Sequence, residues 1–244
     1  MPRAFLLVLA IYYGHCSGLA IKDLMDLMDL MEPDVKRDML PRFIDISAIL
    51  LAGGASTRMG GRNKAFLKIG AKTIIQREID ALEPIFDRII IITNNFDTYS
   101  CLGKPMFADI KPGHGSLGGI FTGLNCCSTE YGFIFACDMP FLNQEVISYI
   151  CKRSWGHDIT IPRIGGYLEP LHAVYSARCI PFIEKLMQRG NLKIKKLFNE
   201  VDMLEIEQQE LATIDPCLQF HINVNTPADL DKAMEMVRTN SQLS

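Results

Sequence analysis

The stretch SAILLAGG at residues 47–54 indicates the fold of this chain. It is a short apolar run that ends in two glycines, which is typical of a buried parallel strand followed by a turn. Similar apolar runs follow at residues 88–93 (RIIIIT) and 131–136 (YGFIFA), and residues 72–82 carry apolar side chains at helical spacing. Because strands alternate with helices, the sequence predicts an α/β fold with a mostly parallel sheet and helices on both faces.

The remaining elements are less strongly patterned. We predict a short strand at residues 106–108, helices at 144–152 and 180–188, and strands at 158–162, 171–175 and 220–224. Residues 113–123 form a glycine-rich stretch. Thr226 and Pro227 have the residue types that begin helices, so we predict a final helix that starts there.

Residues 1–45 do not share this alternation and are predicted to be a leader before a single domain at residues 46–238 and a tail at 239–244. The apolar run at residues 5–13 is far shorter than the roughly 20 residues that span a bilayer. We expect a poorly ordered extension, or translation from an upstream start with Met39 as the working start. A targeting signal and a docking helix are the alternatives.

Composition excludes several classes of protein. The chain of 244 residues has 25 Lys and Arg against 28 Asp and Glu, a net charge of −3, so we expect neither nucleic acid nor a membrane as a partner. Its eight cysteines are scattered without a C-x-x-C pair. This distribution is typical of reduced thiols in a cytoplasmic protein.

The loop after the first strand, LAGGASTRMGGRNK at residues 51–64, has the features of a phosphate site. Glycines allow backbone N–H groups to approach an anion, and Arg58, Arg62 and Lys64 add full positive charges. The Walker pattern does not fit, because no glycine directly precedes Lys64. Residues 113–118 satisfy G-x-G-x-x-G, but they follow a proline rather than a firm strand.

Two aspartates follow predicted strands. Asp138 comes just after the apolar run at residues 131–136, and Asp109 follows the short strand before it. Magnesium prefers one or two carboxylates, water and substrate phosphates, so Asp138 is a candidate ligand for Mg²⁺. Because ligands bind at the carboxyl ends of parallel strands, both aspartates and the glycine loop should share one rim.

Five motifs in order resemble the molybdenum cofactor guanylyltransferase family. They are LAGG-x-S-x-RMGG-x-x-K at 51–64, GSLGG at 115–119, CDMPFL at 137–142, EPLHAVYS at 169–176 and NVNTPADL at 223–230. The matching segments span residues 46 to about 236. One departure is Ser116, which stands where the family usually has proline and loosens that loop.

The resemblance implies a Rossmann-like nucleotidyltransferase fold. It also implies an enzyme that requires GTP and magnesium. The acceptor would be molybdopterin or Mo-molybdopterin, and the product would be the guanine dinucleotide of that pterin. Molybdoenzymes or their chaperones would receive the product. Such an enzyme would be cytoplasmic, because its nucleoside triphosphate substrate is found there.

The resemblance also assigns site residues. The implied nucleotide-binding residues are Leu51, Ala52, Gly53, Lys64, Asp109 and Asp138, together with Thr93 or Asn95 in the place of a family asparagine. The implied catalytic residues are Arg58, Lys64 and Asp138, with Asp138 as the metal ligand. The implied acceptor-binding residues are Gly115, Gly119, His172, Asn223 and Asn225, of which Asn225 can also reach the metal. His172 could equally be a hydrogen-bonded histidine at a strand edge.

The chemistry expected of this family needs no general base. A terminal phosphate is mostly dianionic at neutral pH and can itself attack the α-phosphorus of GTP. The alternatives are a cytidylyltransferase for the same pterin and a sugar-1-phosphate nucleotidyltransferase, although Gly53-Gly54 resembles the guanylyl branch. Two further alternatives belong to other functional classes. One is a non-catalytic nucleotide-binding adaptor, and the other is an NAD-dependent oxidoreductase that binds its cofactor through residues 113–118.

Overall fold

The computed structural model describes residues 41–53 and 63–240. The described part from Arg42 onward is one compact unit. Its first residues are already ordered, because Phe43 is buried and pairs with Phe86. The predictions for residues 1–40 and for Arg58 fall outside the described residues. In the described part, no helix combines the length and the apolar character that crossing a bilayer needs.

The central sheet has the strand order β10-β7-β9-β6-β1-β4-β5, with β8 added to β7. Its strands are β1 (Ile46–Leu51), β4 (Ile89–Ile92), β5 (Met106–Phe107), β6 (Tyr131–Ala136), β7 (Ile159–Ile164), β8 (Tyr167–Leu168), β9 (His172–Ser176) and β10 (Met203–Glu207). A separate hairpin pairs β2 (Lys68–Ile69) with β3 (Lys72–Thr73). In the central sheet, strand β9 runs antiparallel to both β6 and β7, and β8 is antiparallel to β7, whereas the other pairings of that sheet are parallel.

The helices are α1 (Ile74–Leu82), α2 (Phe96–Tyr99), α3 (Gly115–Cys126), α4 (Gln144–Arg153), α5 (Ile180–Gln188), α6 (Gln208–Ala212) and α7 (Pro227–Asn240). Short 3-10 helices cover Lys64–Phe66, Ser100–Leu102, Ala177–Cys179, Ile194–Asn199 and Gln219–His221. The predicted start of α7 is confirmed, because the Asp229 amide donates to the Thr226 hydroxyl and Pro227 begins the helix. Thr73 caps α1 in the same way, with Gln76 completing a capping box.

Helices cover both faces of the sheet, as predicted. The crossover from β1 through α1 to β4 moves one way across the sheet, and the crossover from β5 through α3 to β6 moves back. Since such connections are right-handed, α1 and α3 lie on opposite faces. On the α3 face, one apolar cluster joins α3 and α5 to the sheet through Ile49, Leu117, Ile120, Ile134, Ile159, Ile183 and Leu186.

Local patterning was wrong for one predicted strand, and it missed several other elements. Residues 220–224 are not a strand: their amides turn to the Asp215 carboxylate and the Asp138 carbonyl instead of a neighbouring strand. The glycine-rich stretch forms α3, a helix whose glycines allow close packing on the sheet. Strand β10, which carries alternating acidic and apolar residues, was not predicted.

The contact between α3 and the sheet centres on Ile49. A Cβ added at Gly132 would lie 2.5 Å from Ile49 Cδ1, and one added at Gly123 would lie 2.5 Å from Ile49 Cγ2. Gly132 is two residues from Ile134, which pairs with Ile49, so all three share one face of the sheet. The two glycines therefore form the space that the Ile49 side chain fills.

A histidine lies in the core on the rim side of the sheet. His172 has no exposed surface, and its ring lies 5.1 Å from that of Phe133 and 5.0 Å from that of Phe220. Among the described residues, neither ring nitrogen has a hydrogen-bond partner. Strand β9 is central, so the reading of a hydrogen-bonded histidine at a strand edge is wrong. Burial, reinforced by nearby His221, lowers the pKa of His172 to about 3.

Replacement of Gly132 by alanine is expected to destabilise the fold. The added methyl overpacks Ile49, which typically costs about 1–3 kcal/mol of unfolding free energy. Ile49→Val removes the contacted Cδ1 and alone costs about 0.5–1.5 kcal/mol. In the double variant the loss should be smaller than the sum of the single losses, as measured by chemical denaturation. Additive losses would show that this contact does not set the packing.

The buried His172 should make stability depend on pH. Its pKa of about 3 lies below the value near 6.5 of an unfolded chain, so its contribution is complete above pH 6.5. That contribution is lost as the pH falls towards 3. Between pH 7 and pH 5 the parent chain should lose about 2 kcal/mol more unfolding free energy than His172→Leu.

Phe220→Leu provides the control for this comparison, because it changes the same aromatic cluster without removing a titrating group. Its unfolding free energy should differ from that of the parent by the same amount at both pH values. Parallel pH profiles for the parent and His172→Leu would contradict a neutral buried ring.

Candidate active site

A cavity of about 190 Å³ opens where β1, β4 and β6 end. Predicted site residues that line it are Leu51, Gly53, Lys64, Asp109, Gly115, Gly119 and Asp138. It is further lined by Asn63, Ile92, Tyr99, Ser116, Ala136, Cys137 and Leu171, which were not predicted. The strand ends and the first turn of α3 therefore bring residues far apart in sequence around one volume.

Lys64 and Asp138 face each other across this cavity. The ammonium nitrogen of Lys64 lies 3.9 Å from Asp138 Oδ2, and both side chains are less than one-fifth exposed. The same nitrogen donates to Asn225 Oδ1 at 2.7 Å. The two charges are thus close enough to share one polyphosphate, and Asn225 fixes the lysine from a third segment.

The segment that carries Lys64 is held by its neighbours. Asn63 caps the 3-10 helix at Lys64–Phe66 by accepting from the Ala65 amide at 3.1 Å. The amide group of Asn63 also donates to the Tyr99 hydroxyl at 3.0 Å. Helix α2, which contains Tyr99, therefore anchors the lysine segment at the cavity wall.

Burial shapes the charges at the site. Desolvation raises the pKa of the Asp138 carboxyl, and the positive charge of Lys64 partly offsets the rise. Desolvation also raises the pKa of Cys137 and of Tyr99 to about 12, so both are neutral at pH 7. Among the described residues that line the cavity, the acidic and basic side chains are those of Lys64, Asp138 and Asp109.

The residues after β4 form a small polar network. Asn94 donates to the Asp109 carboxylate at 2.8 Å and accepts from the Asp109 amide at 3.0 Å. Asn95 caps α2 through the Thr98 amide, while the buried Thr93 hydroxyl bonds to the Ala52 carbonyl. Of residues 93–95, Asn94 is therefore the one whose side chain bonds to a residue that lines the cavity, Asp109.

Helix α3 begins at the cavity. Gly115, Ser116 and Gly119 line the volume, and the first turn has no side-chain cap from His114. Unpaired N–H groups at a helix N-terminus attract anions. Gly119 also allows close packing, because a Cβ there would lie 3.2 Å from Leu51.

The predicted acceptor-side residues lie along the segment before α7. Asn223 donates to the His221 carbonyl at 2.9 Å, and Asn225 is held by the Asp229 carboxylate. Neither asparagine lines the cavity, although Asn225 reaches it through Lys64. His172, being fully buried, has no accessible surface in this structure through which to contact an acceptor.

Three comparisons bear on identity. The family model of the MobA-like NTP transferase domain matches residues 48–206. A molybdenum cofactor guanylyltransferase from Desulfosudis oleivorans is 37% identical over 194 residues, which are 79% of this chain and 96% of that protein.

Solved structures share the architecture. Molybdopterin-guanine dinucleotide biosynthesis protein A from Archaeoglobus fulgidus has a TM-score of 0.69 at 25% identity, covering 79% of this chain and 99% of that one. A 2-C-methyl-D-erythritol 4-phosphate cytidylyltransferase from Thermus thermophilus has a TM-score of 0.58 at 12% identity, covering 78% and 98%, and shares the fold alone.

The match of the family model runs from Ala48 within β1 to Ile206 within β10, and so includes the strand ends that form the cavity. The sequence relative extends this similarity over nearly its own whole length. On both grounds, the chain belongs to the MobA-like NTP transferase family.

Proposed function

We propose that this chain transfers GMP from GTP to the terminal phosphate of molybdopterin, with release of pyrophosphate. The product is the guanine dinucleotide form of the cofactor. One observation carries the proposal: Lys64 and Asp138 lie 3.9 Å apart on a cavity at the ends of β1 and β6. The names of the similar proteins from Desulfosudis oleivorans and Archaeoglobus fulgidus support guanylyl transfer to this pterin.

The reaction is an in-line displacement at phosphorus. An oxygen of the acceptor phosphate forms a bond to the α-phosphorus of GTP, and the bond from that phosphorus to the β-phosphate oxygen breaks. A phosphate monoester has a second pKa near 6, so the nucleophile is already dianionic at pH 7. The protein therefore has to align the two phosphates and neutralise their charge.

Lys64 is suited to this neutralisation. Its side chain is mostly buried and its ammonium group is held by Asn225, so it does not have to reorganise when negative charge moves onto the pyrophosphate. The N-terminus of α3 supplies further N–H groups on the same volume. We assign Arg58 in the glycine loop the same kind of role on the basis of the sequence.

The site fits a magnesium ion. Asp138 offers a carboxylate with restricted solvent access, and Mg²⁺ commonly combines one or two carboxylates with water and substrate phosphates. When bound there, magnesium would neutralise phosphate oxygens. We assign Asp138 as its protein ligand, and Asn225, which accepts from Lys64, as a further polar group near it.

The setting follows from the substrates. A reaction that consumes GTP supports a cytoplasmic location, and a completed dinucleotide cofactor would pass to molybdoenzymes or their chaperones. We assign Asp109, which lines the cavity and is fixed by Asn94, a role beside the nucleoside.

Incubation with molybdopterin, magnesium and a nucleoside triphosphate tests the reaction itself. Mass analysis should detect guanylylated pterin and pyrophosphate with GTP, and little product with CTP. A preference for CTP would make the chain a cytidylyltransferase. Transfer to a sugar 1-phosphate instead of the pterin would also overturn the proposal.

Lys64→Ala and Asp138→Asn should each lower turnover on the order of 100-fold or more, because each removes charge stabilisation at the reacting phosphates. Matched controls are Lys68→Ala and Asp80→Asn, which change exposed side chains of the same types. The controls should keep parental kcat, and circular dichroism should show that all four variants are folded. Parental rates in either site variant would remove that residue from the mechanism.

A further inference from the structure

A carboxyl group lies inside the protein directly behind the site. Helix α1 buries Ile74, Ile75, Ile79 and Leu82, and it also buries Glu78, which has no exposed surface. Burying a carboxyl group is unfavourable unless its oxygens find partners. A glutamate in the middle of an apolar helix face therefore needs polar partners inside the protein.

Glu78 bonds to the backbone at the end of β6. Its Oε1 accepts from the Met139 amide at 2.9 Å. The carbonyl of Asp138 accepts from the Val224 amide at 2.8 Å. That carbonyl and the Met139 amide belong to the same peptide group, so one peptide plane is held at both ends.

The Met139 amide needs such a partner. Strand β6 ends at Ala136, so Met139 lies beyond the ladder with β1 and β9, and it is almost fully buried. A buried amide without a partner is strongly unfavourable. Rotation of this peptide plane would change ψ of Asp138 and turn its side chain relative to Lys64.

We infer that Glu78 is a positioning residue: by accepting from the Met139 amide opposite the Val224 bond, it holds the Asp138 carboxylate towards the nucleotide and its metal ion. This inference rests on the proposed function. Glu78 itself does not line the cavity, and it acts through the backbone that carries Asp138.

Two conservative variants at position 78 distinguish the position of the accepting oxygen from the charge of the carboxylate. Glu78→Gln keeps the accepting oxygen at the same distance from the helix but removes the carboxylate. Glu78→Asp keeps the carboxylate but is one methylene shorter and withdraws the oxygen from Met139. The matched control is Ile79→Val, which removes one methyl from the same buried helix face.

The first measurement is GTP binding by calorimetry without acceptor, with magnesium and again with EDTA. Glu78→Gln should bind GTP with magnesium within about twofold of the parent. Glu78→Asp should bind it about tenfold more weakly with magnesium and equally well in EDTA, because Lys64 and the glycine loop are unchanged. Its turnover should fall about 10- to 100-fold, as expected for a misplaced catalytic group.

The outcomes that overturn the inference are distinct. An active Glu78→Asp with an impaired Glu78→Gln would assign Glu78 an electrostatic role, and parental behaviour of both would assign it none. Thermal unfolding of all variants excludes a merely structural effect, since Ile79→Val should lose some stability but no magnesium-dependent binding. If Glu78→Asp does not fold, Glu78→Gln still tests the inference, because loss of magnesium-dependent GTP binding in that variant would overturn it.

Failure of the proposed function is recognisable separately. If the parent binds GTP with magnesium but forms no guanylylated pterin, the acceptor assignment fails, while the binding comparison still tests Glu78. If the parent binds another nucleoside triphosphate better, the same three variants are compared with that nucleotide.

Discussion

The site depends on two largely buried side chains of opposite charge, Lys64 and Asp138, which lie near each other but do not form a close ion pair. Lys64 and Asp138 lie 3.9 Å apart, while Asn225 takes a shorter hydrogen bond from the lysine. A tight ion pair would satisfy both groups and leave little attraction for a phosphate or a cation. The separation depends on the 3-10 helix that carries Lys64 and on the backbone at the end of β6. Tyr99 of α2 and Asn225 before α7 hold the lysine segment.

Buried polar groups near these charges lower the free energy of unfolding. Among the described residues, Glu78 Oε2 and both ring nitrogens of His172 are buried without hydrogen-bond partners. Desolvation raises the pKa of Glu78 well above its ordinary range and lowers the pKa of His172 to about 3, so burial disfavours the charged form of both side chains. Their environment sets which protonation state the fold accepts, and the apolar core around Ile49 and Phe133 must offset the unfavourable terms.

Local patterns in the sequence predicted the elements that a parallel sheet requires. The apolar runs that became β1, β4 and β6 were recognisable, and the rule that strand ends share a rim correctly brought Lys64 near Asp138. Helix α3 was missed because glycine has a low helix propensity, and its close approach to Ile49 outweighs that preference.

Other features depend on contacts between distant segments and leave no local signal. Glu78 falls on the apolar face of a helix, where periodicity gives no hint that a backbone amide lies opposite. Asn94 was indistinguishable from Thr93 and Asn95 until its bonds to Asp109 were visible. Residues 220–224 have the composition of a strand, but the amide of Val224 is committed to Asp138.

The hydrogen bond between Lys64 and Asn225 spans 161 positions of the chain. Together with the bond from Val224 to Asp138, it means that the site is assembled from the beginning and the end of the domain. Closing so long a loop has an entropic penalty that only the finished fold repays. During synthesis on a ribosome, a nascent chain that stops short of this segment has neither bond, so catalytic competence arrives only after nearly all of the domain has emerged.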